Sequence, residues 1–202
     1  MDLQGIFPGN PIDPKKYARF RTLTFSGGTS LLLTAWSFIL FSVFFALSLL
    51  TYIQVTGADS FSFTMTGPSD LLPLIVLIIL IPLTGILHEG FHGVAYRLLH
   101  RRPAFGWGRR SVLLYCSCSA GGPYTRKESI FILMAPFVLI PAIGTMLTAL
   151  APAWAFATIV LLPLNAAGSV ADLRAAAAII RSPPGSVVLE EGEEMAVLVP
   201  LQ

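Results

Sequence analysis

Charge is what this sequence has least of. Lys, Arg, Asp and Glu make up 12% of the 202 residues, against 54% hydrophobic side chains, and the mean hydropathy is +0.74. A soluble domain of this length cannot cover so much apolar surface with so few charges, so an integral membrane protein is expected. Cysteine is scarce as well: Cys116 and Cys118 stand in a C-x-C pair with no others. Such close neighbours rarely form a disulfide, and two make no disulfide scaffold. Both are read as reduced thiols on a strand or loop, and the pair alone is weak ground for a metal site. The net charge is only +2, and no basic run is interleaved with aromatics, so nothing points to nucleic acid. The first apolar run begins near residue 30. It comes too late for a cleaved leader and is expected to be a retained anchor.

What is present is a series of apolar runs of spanning length. Ser30–Ile53, dense in Leu and Phe, is the first expected span, with Trp36 and Tyr52 placed for the two interfaces. The second starts near Leu71, the third covers Ser129–Leu150 broken by Pro136 and Pro141, and the fourth covers Ala153–Ile180. Between the second and third, Ser111–Ser119 favours a strand by its Val, Leu and Tyr content. After Ser182-Pro183-Pro184-Gly185 stops the last helix, Val187–Glu191 and Glu193–Val199 read as a hairpin about Gly192. The expected fold is therefore an all-α membrane protein with about four transmembrane helices and small cytoplasmic β elements. Residues 1–29, with Pro8, Pro11 and Pro14, form a cytoplasmic arm, 30–181 the transmembrane domain, and 182–202 a cytoplasmic tail.

Basic residues prefer the cytoplasmic side. Placing both termini there puts all 13 Lys and Arg on that side, and the two outer loops hold none, only acids such as Asp59 and Asp70.

Chemistry concentrates at His88-Glu89-Gly90-Phe91-His92, an H-E-x-x-H motif closing the second apolar run. Residues four apart on a helix differ by about 40° around its axis, so both imidazoles face one way and can hold one metal ion. Zinc suits two imidazoles plus a third protein ligand, with a fourth position open to water, and Glu89 is placed to take that water's proton. With three His in the chain, chance produces such a motif in roughly one chain per thousand. From Leu71 to His88 is roughly 26 Å of helix against a hydrocarbon core of about 30 Å, so the motif lies toward the far interface. Pro82 is expected to kink the helix ahead of it. Against the bland alternative, histidines satisfied by hydrogen bonds between packed helices, stand the motif's rarity and the cost of such groups beside hydrocarbon.

Several acids compete to be the third ligand. Asp59 and Asp70 face outward, and the tail glutamates Glu190, Glu191, Glu193 and Glu194 lie in a flexible polar setting. Asp172 is buried in the fourth span, where an ionised carboxylate wants a cation. Asn165, Ser169 and Asp172 share one face of that helix by spacing. Glu128, at the start of the third span, is the lesser candidate. His100 beside Arg101 reads as a surface residue.

The pattern resembles the site-2-protease-like intramembrane zinc metalloproteases, and most nearly the short bacterial "putative zincin peptidase" membrane proteins. The resemblance rests on His88-Glu89-x-x-His92 and on Asn165-x-x-Gly168-Ser169-x-x-Asp172. It implies Zn2+ held by His88, His92 and Asp172, Glu89 as the base, and Asn165 as a catalytic group that holds substrate or the oxyanion. Leu173 follows the aspartate where site-2 proteases commonly have glycine, and no PDZ-like module is present. The expected function is an intramembrane zinc endopeptidase of the bacterial inner membrane, cleaving membrane proteins or peptides near the cytoplasmic face. The alternative from another class is a non-catalytic pseudoprotease that binds other membrane proteins. A metal transporter is disfavoured, since the chain offers one ligand cluster and no ladder of sites.

Overall fold

A computed structural model describes residues 16–24, 30–58, 67, 71–110, 113–191 and 194–201. The expected arm prolines Pro8, Pro11 and Pro14, the acids Asp59 and Asp70, Gly192 and Glu193 lie outside the described residues. The chain runs β1 (Tyr17–Thr24), α1 (Ser30–Thr56), α2 (Leu71–Leu98), β2 (Ala104–Arg110), β3 (Leu113–Ser119), β4 (Pro123–Thr125), α3 (Arg126–Leu150), α4 (Ala155–Gly168), α5 (Val170–Ile180), β5 (Val187–Glu191) and β6 (Glu194–Pro200). It is mostly helical with small antiparallel sheets, and among the described residues three helices are long and apolar enough to cross a membrane: Leu31–Thr56, Ile75–Leu98 and Arg126–Leu150. A fourth is counted if the pair Pro152–Gly168 and Val170–Ile180, bent by 44°, is one span.

The residues divide into two compact units. The first comprises Met1–Ser30, His92–Ala135 and Ala171–Gln202. Its frame is a four-stranded sheet in the order β1-β6-β5-β4, in which Tyr17 pairs with Pro200 and Thr24 with Glu194. Part of the segment expected to be an N-terminal arm is thus an edge strand, joined to the tail hairpin. That edge carries Arg19, whose guanidinium meets Glu191 at 2.8 Å; a charged edge resists further pairing. Leu23, Leu133, Ala175, Ala176, Ile179, Val188 and Val197 form the core of this unit, because the apolar faces of α3 and α5 need a sheet to cover them. β2 and β3 form a separate hairpin, pairing Ala104 with Ser119 and Arg110 with Leu113.

The second unit comprises Leu31–Phe91 and Pro136–Val170. Here an ideal Cβ on Gly144 would stand 2.5 Å from Leu162 Cδ2, so α3 and α4 approach closely where one of them lacks a side chain. Beside that contact, Thr148 and Thr158 share a buried hydroxyl–hydroxyl hydrogen bond of 2.7 Å. Phe44 of α1 meets Phe137 edge-on at 5.6 Å.

Two expectations about helix continuity change. Pro136 and Pro141 lie inside one uninterrupted α3, where the third span was expected to be broken. The fourth span was read as one straight helix and is bent instead. Ser169, with φ −73° and ψ −2°, stands at the bend between α4 and α5. Both its N–H and its hydroxyl donate to Asn165 O, at 3.0 and 2.8 Å, which stabilises the bend. α2, in contrast, continues through Pro82 as one helix.

Candidate metal centre

His88 and His92 project from the last turns of α2. The helix ends soon after, where His100 takes a left-handed φ of 58° and Arg101 N–H donates to Tyr96 O at 2.9 Å, a C-terminal cap of the Schellman type. His100 is exposed, in line with its reading as a surface residue. His92 is buried and His88 and Glu89 are half-buried. A Cβ on Gly93 would stand 2.6 Å from Phe105 Cζ, so the β2 aromatic ring lies against the helix backbone there.

Each histidine is held through Nδ1. Within the first unit, His92 Nδ1 lies 2.9 Å from Ile132 O. A carbonyl only accepts, so Nδ1 carries the proton and Nε2 keeps its lone pair. That Nε2 stands 3.5 Å from Asp172 Oδ2. Within the second unit, His88 Nδ1 lies 3.0 Å from Asn165 Oδ1, while Asn165 Nδ2 donates to Pro136 O at 3.1 Å. The donation to a carbonyl fixes which way the amide points, so its oxygen accepts from His88 Nδ1–H. Both imidazoles therefore present Nε2 as a donor pair. A bound metal favours this arrangement, since the far nitrogen of a ligating imidazole is normally tied to a carbonyl or amide.

The spacing of the histidines is set by the unbroken helix that carries both, and Asp172 is tied to His92 inside the first unit. One ligand atom from each of His88, His92 and Asp172 lies within 4.8 Å of the others. Tetrahedral zinc with bonds of about 2.0–2.1 Å separates its ligand atoms by roughly 3.3 Å. The 3.5 Å between His92 and Asp172 is close to that, and two imidazoles with one carboxylate are a donor set that suits zinc.

Other residues singled out by the sequence go elsewhere. Glu128 accepts from Thr125 N–H at 2.7 Å, and Thr125 Oγ1 accepts from Glu128 N–H at 3.3 Å. This is a capping box at the start of α3, which explains that acid without a metal. Arg174 is exposed. Cys116 and Cys118 are half-buried on β3.

Sequence reasoning missed Glu190, one of the tail glutamates expected to lie in a flexible polar setting. It sits on β5, where the Tyr96 hydroxyl donates to it and the Tyr124 hydroxyl approaches at 3.5 Å. Ala120 N–H also donates to it. Burial nonetheless pushes the carboxyl above its ordinary range, the hydrogen bonds acting the other way. Burial and the Glu190 charge raise the Tyr124 phenol likewise. The Arg101 guanidinium lies 5.5 Å over the Tyr124 ring. Strand alternation was the available signal: Glu190 shares a face with Val188, a core residue.

Two imidazoles on one helix and a carboxylate from a later one make a possible metal site. The chain belongs to the family described as "Putative zincin peptidase", which matches residues 80–187. That membership supports a metallopeptidase and implies zinc. No curated protein and no solved structure matches the chain.

Proposed function

We propose that this protein is an intramembrane, zinc-dependent endopeptidase that cuts membrane-embedded or membrane-adjacent proteins near the cytoplasmic face. The observation that carries the reading is the convergence of His88, His92 and Asp172 ligand atoms within 4.8 Å. Bound there, zinc supplies a Lewis acid that lowers the pKa of a water toward neutrality and polarises a peptide carbonyl. Glu89 takes the proton of the attacking water and delivers it to the leaving amide nitrogen. Asn165 spends both ends of its amide on Pro136 and His88, which favours an orienting role over contact with the oxyanion.

The membrane part of the reading is supported by the sheet. β1 precedes the first apolar helix, β4 follows the second, and β5 and β6 follow the last, yet all four pair in one sheet. Strands of one sheet lie on one side of a bilayer, so the crossings between them are even in number, and the bent α4–α5 pair counts as one. By this count all 13 Lys and Arg fall on the sheet's side of the apolar runs, which favours the cytoplasm for that side. Among the described residues β3 pairs only with β2, and its other edge is our choice for receiving an unwound substrate segment by strand addition.

Glu89→Gln is the test. The variant keeps about one zinc per chain and loses cleavage of single-span membrane proteins, measured by comparing membrane fragments from wild-type and variant cells. A variant that still cuts removes Glu89 as the base. A wild type that binds zinc and yields no fragments favours a holding protein instead.

A further inference from the structure

We propose that Pro136 is a positioning residue for the metal centre, releasing the carbonyl that orients His92 and holding with its own carbonyl the amide that orients His88. The inference rests on the metallopeptidase reading only for what the two imidazoles bind.

An α-helix aims the N–H of residue 136 at the carbonyl of residue 132. Proline has no N–H, so inside α3 this helical partner of Ile132 O is missing. His92 Nδ1 occupies that carbonyl at 2.9 Å. A helical carbonyl with its own partner is a poorer acceptor for a second donor. Here the helix gives up one internal bond and an imidazole from α2 takes it, which sets the His92 tautomer and the direction of Nε2.

The same residue acts once more through its other polar group. Pro136 O accepts from Asn165 Nδ2 at 3.1 Å, and Asn165 Oδ1 accepts from His88 Nδ1 at 3.0 Å. One proline thus stands behind Nδ1 of each motif histidine, through the α3 backbone for His92 and through Asn165 for His88. A proline present only to shape the helix accounts for neither. Pro141 lies in the same helix and provides the internal control.

The test uses the full chain in detergent micelles or nanodiscs, with Zn2+ and Co2+ as probes. Pro136→Ala restores the missing N–H. It is expected to weaken Zn2+ binding about tenfold and to shift the visible bands of the Co2+-saturated protein. Its thermal midpoint stays level or rises, because an interior proline disfavours a helix. Pro141→Ala leaves Zn2+ affinity and the Co2+ bands as in wild type. Unchanged affinity in Pro136→Ala, an equal loss in Pro141→Ala, or a loss accompanied by a lower midpoint overturns the proposal. Imidazole 15N shifts of the metal-free wild type decide it without any variant. His92 is expected as the Nδ1–H tautomer, and the Nε2–H form refutes the proposal. Failure of the wild type to bind either ion defeats the metallopeptidase reading, while the tautomer still decides the role of Pro136.

Discussion

His92 Nε2 and Asp172 Oδ2 face each other across 3.5 Å. Asp172 is in the first turn of α5, just past the bend at Ser169, while His92 is tied through Nδ1 to the backbone of α3. Three helices therefore bear on one nitrogen–oxygen pair. Asp172→Asn keeps the shape and removes the charge. Zinc per purified chain should fall at least about tenfold, since an amide is a far poorer ligand than a carboxylate. Full zinc content in that variant would remove Asp172 from the site.

Asn165→Ala leaves His88 Nδ1–H without its acceptor and Pro136 O without its donor. Loss of such a supporting partner lowers metal affinity about 10–100-fold. Titration with Co2+ measures this directly. If Asn165 served only the oxyanion, metal affinity would be unchanged and cleavage alone would suffer.

Gly144→Ala pushes a methyl group into Leu162, 2.5 Å from its Cδ2. Leu162 is 4% exposed and has little room to move. Overpacking of this kind costs about 1–3 kcal/mol. The loss should appear as a lower midpoint of unfolding in detergent, with zinc content per folded chain unchanged.

The Glu190 carboxyl, raised by burial, gives stability a pH dependence of definite sign. A carboxyl whose folded pKa lies above its unfolded value contributes stability below the ordinary carboxylate range. That contribution is lost as pH rises through the raised value. Wild type and Glu190→Gln should match near pH 4, where both are neutral at this position. At pH 7 the Gln variant should be the more stable of the two in chemical denaturation of the metal-free protein. Wild type gaining on the variant with rising pH would mean that the Tyr96 and Ala120 hydrogen bonds outweigh burial.

Local spacing carried the parts of this protein that could be read ahead of any structure. The apolar runs marked the helices because their length and lack of charge leave few other environments for them. His88 and His92 were legible as a pair because helical periodicity alone puts residues four apart on one side. Asp172 was legible for a coarser reason, a carboxylate among apolar residues, although the single helix expected for that span is bent at Ser169. The capping box Thr125–Glu128 was also present as a pattern and was passed over in favour of a ligand role.

The sequence by itself determined that one helix offers two imidazoles and a glutamate, and that one acid in a later apolar segment needs a partner. Tertiary structure alone decided how the histidines are oriented, that Glu190 is half-buried against two tyrosines, and that a strand before the first apolar helix joins the tail hairpin in one sheet. The division has a physical cause. Periodicity and hydropathy act between near neighbours in the chain, whereas an imidazole tautomer or a buried carboxyl depends on hydrogen bonds to residues tens of positions away, which are fixed only when the helices and strands have packed.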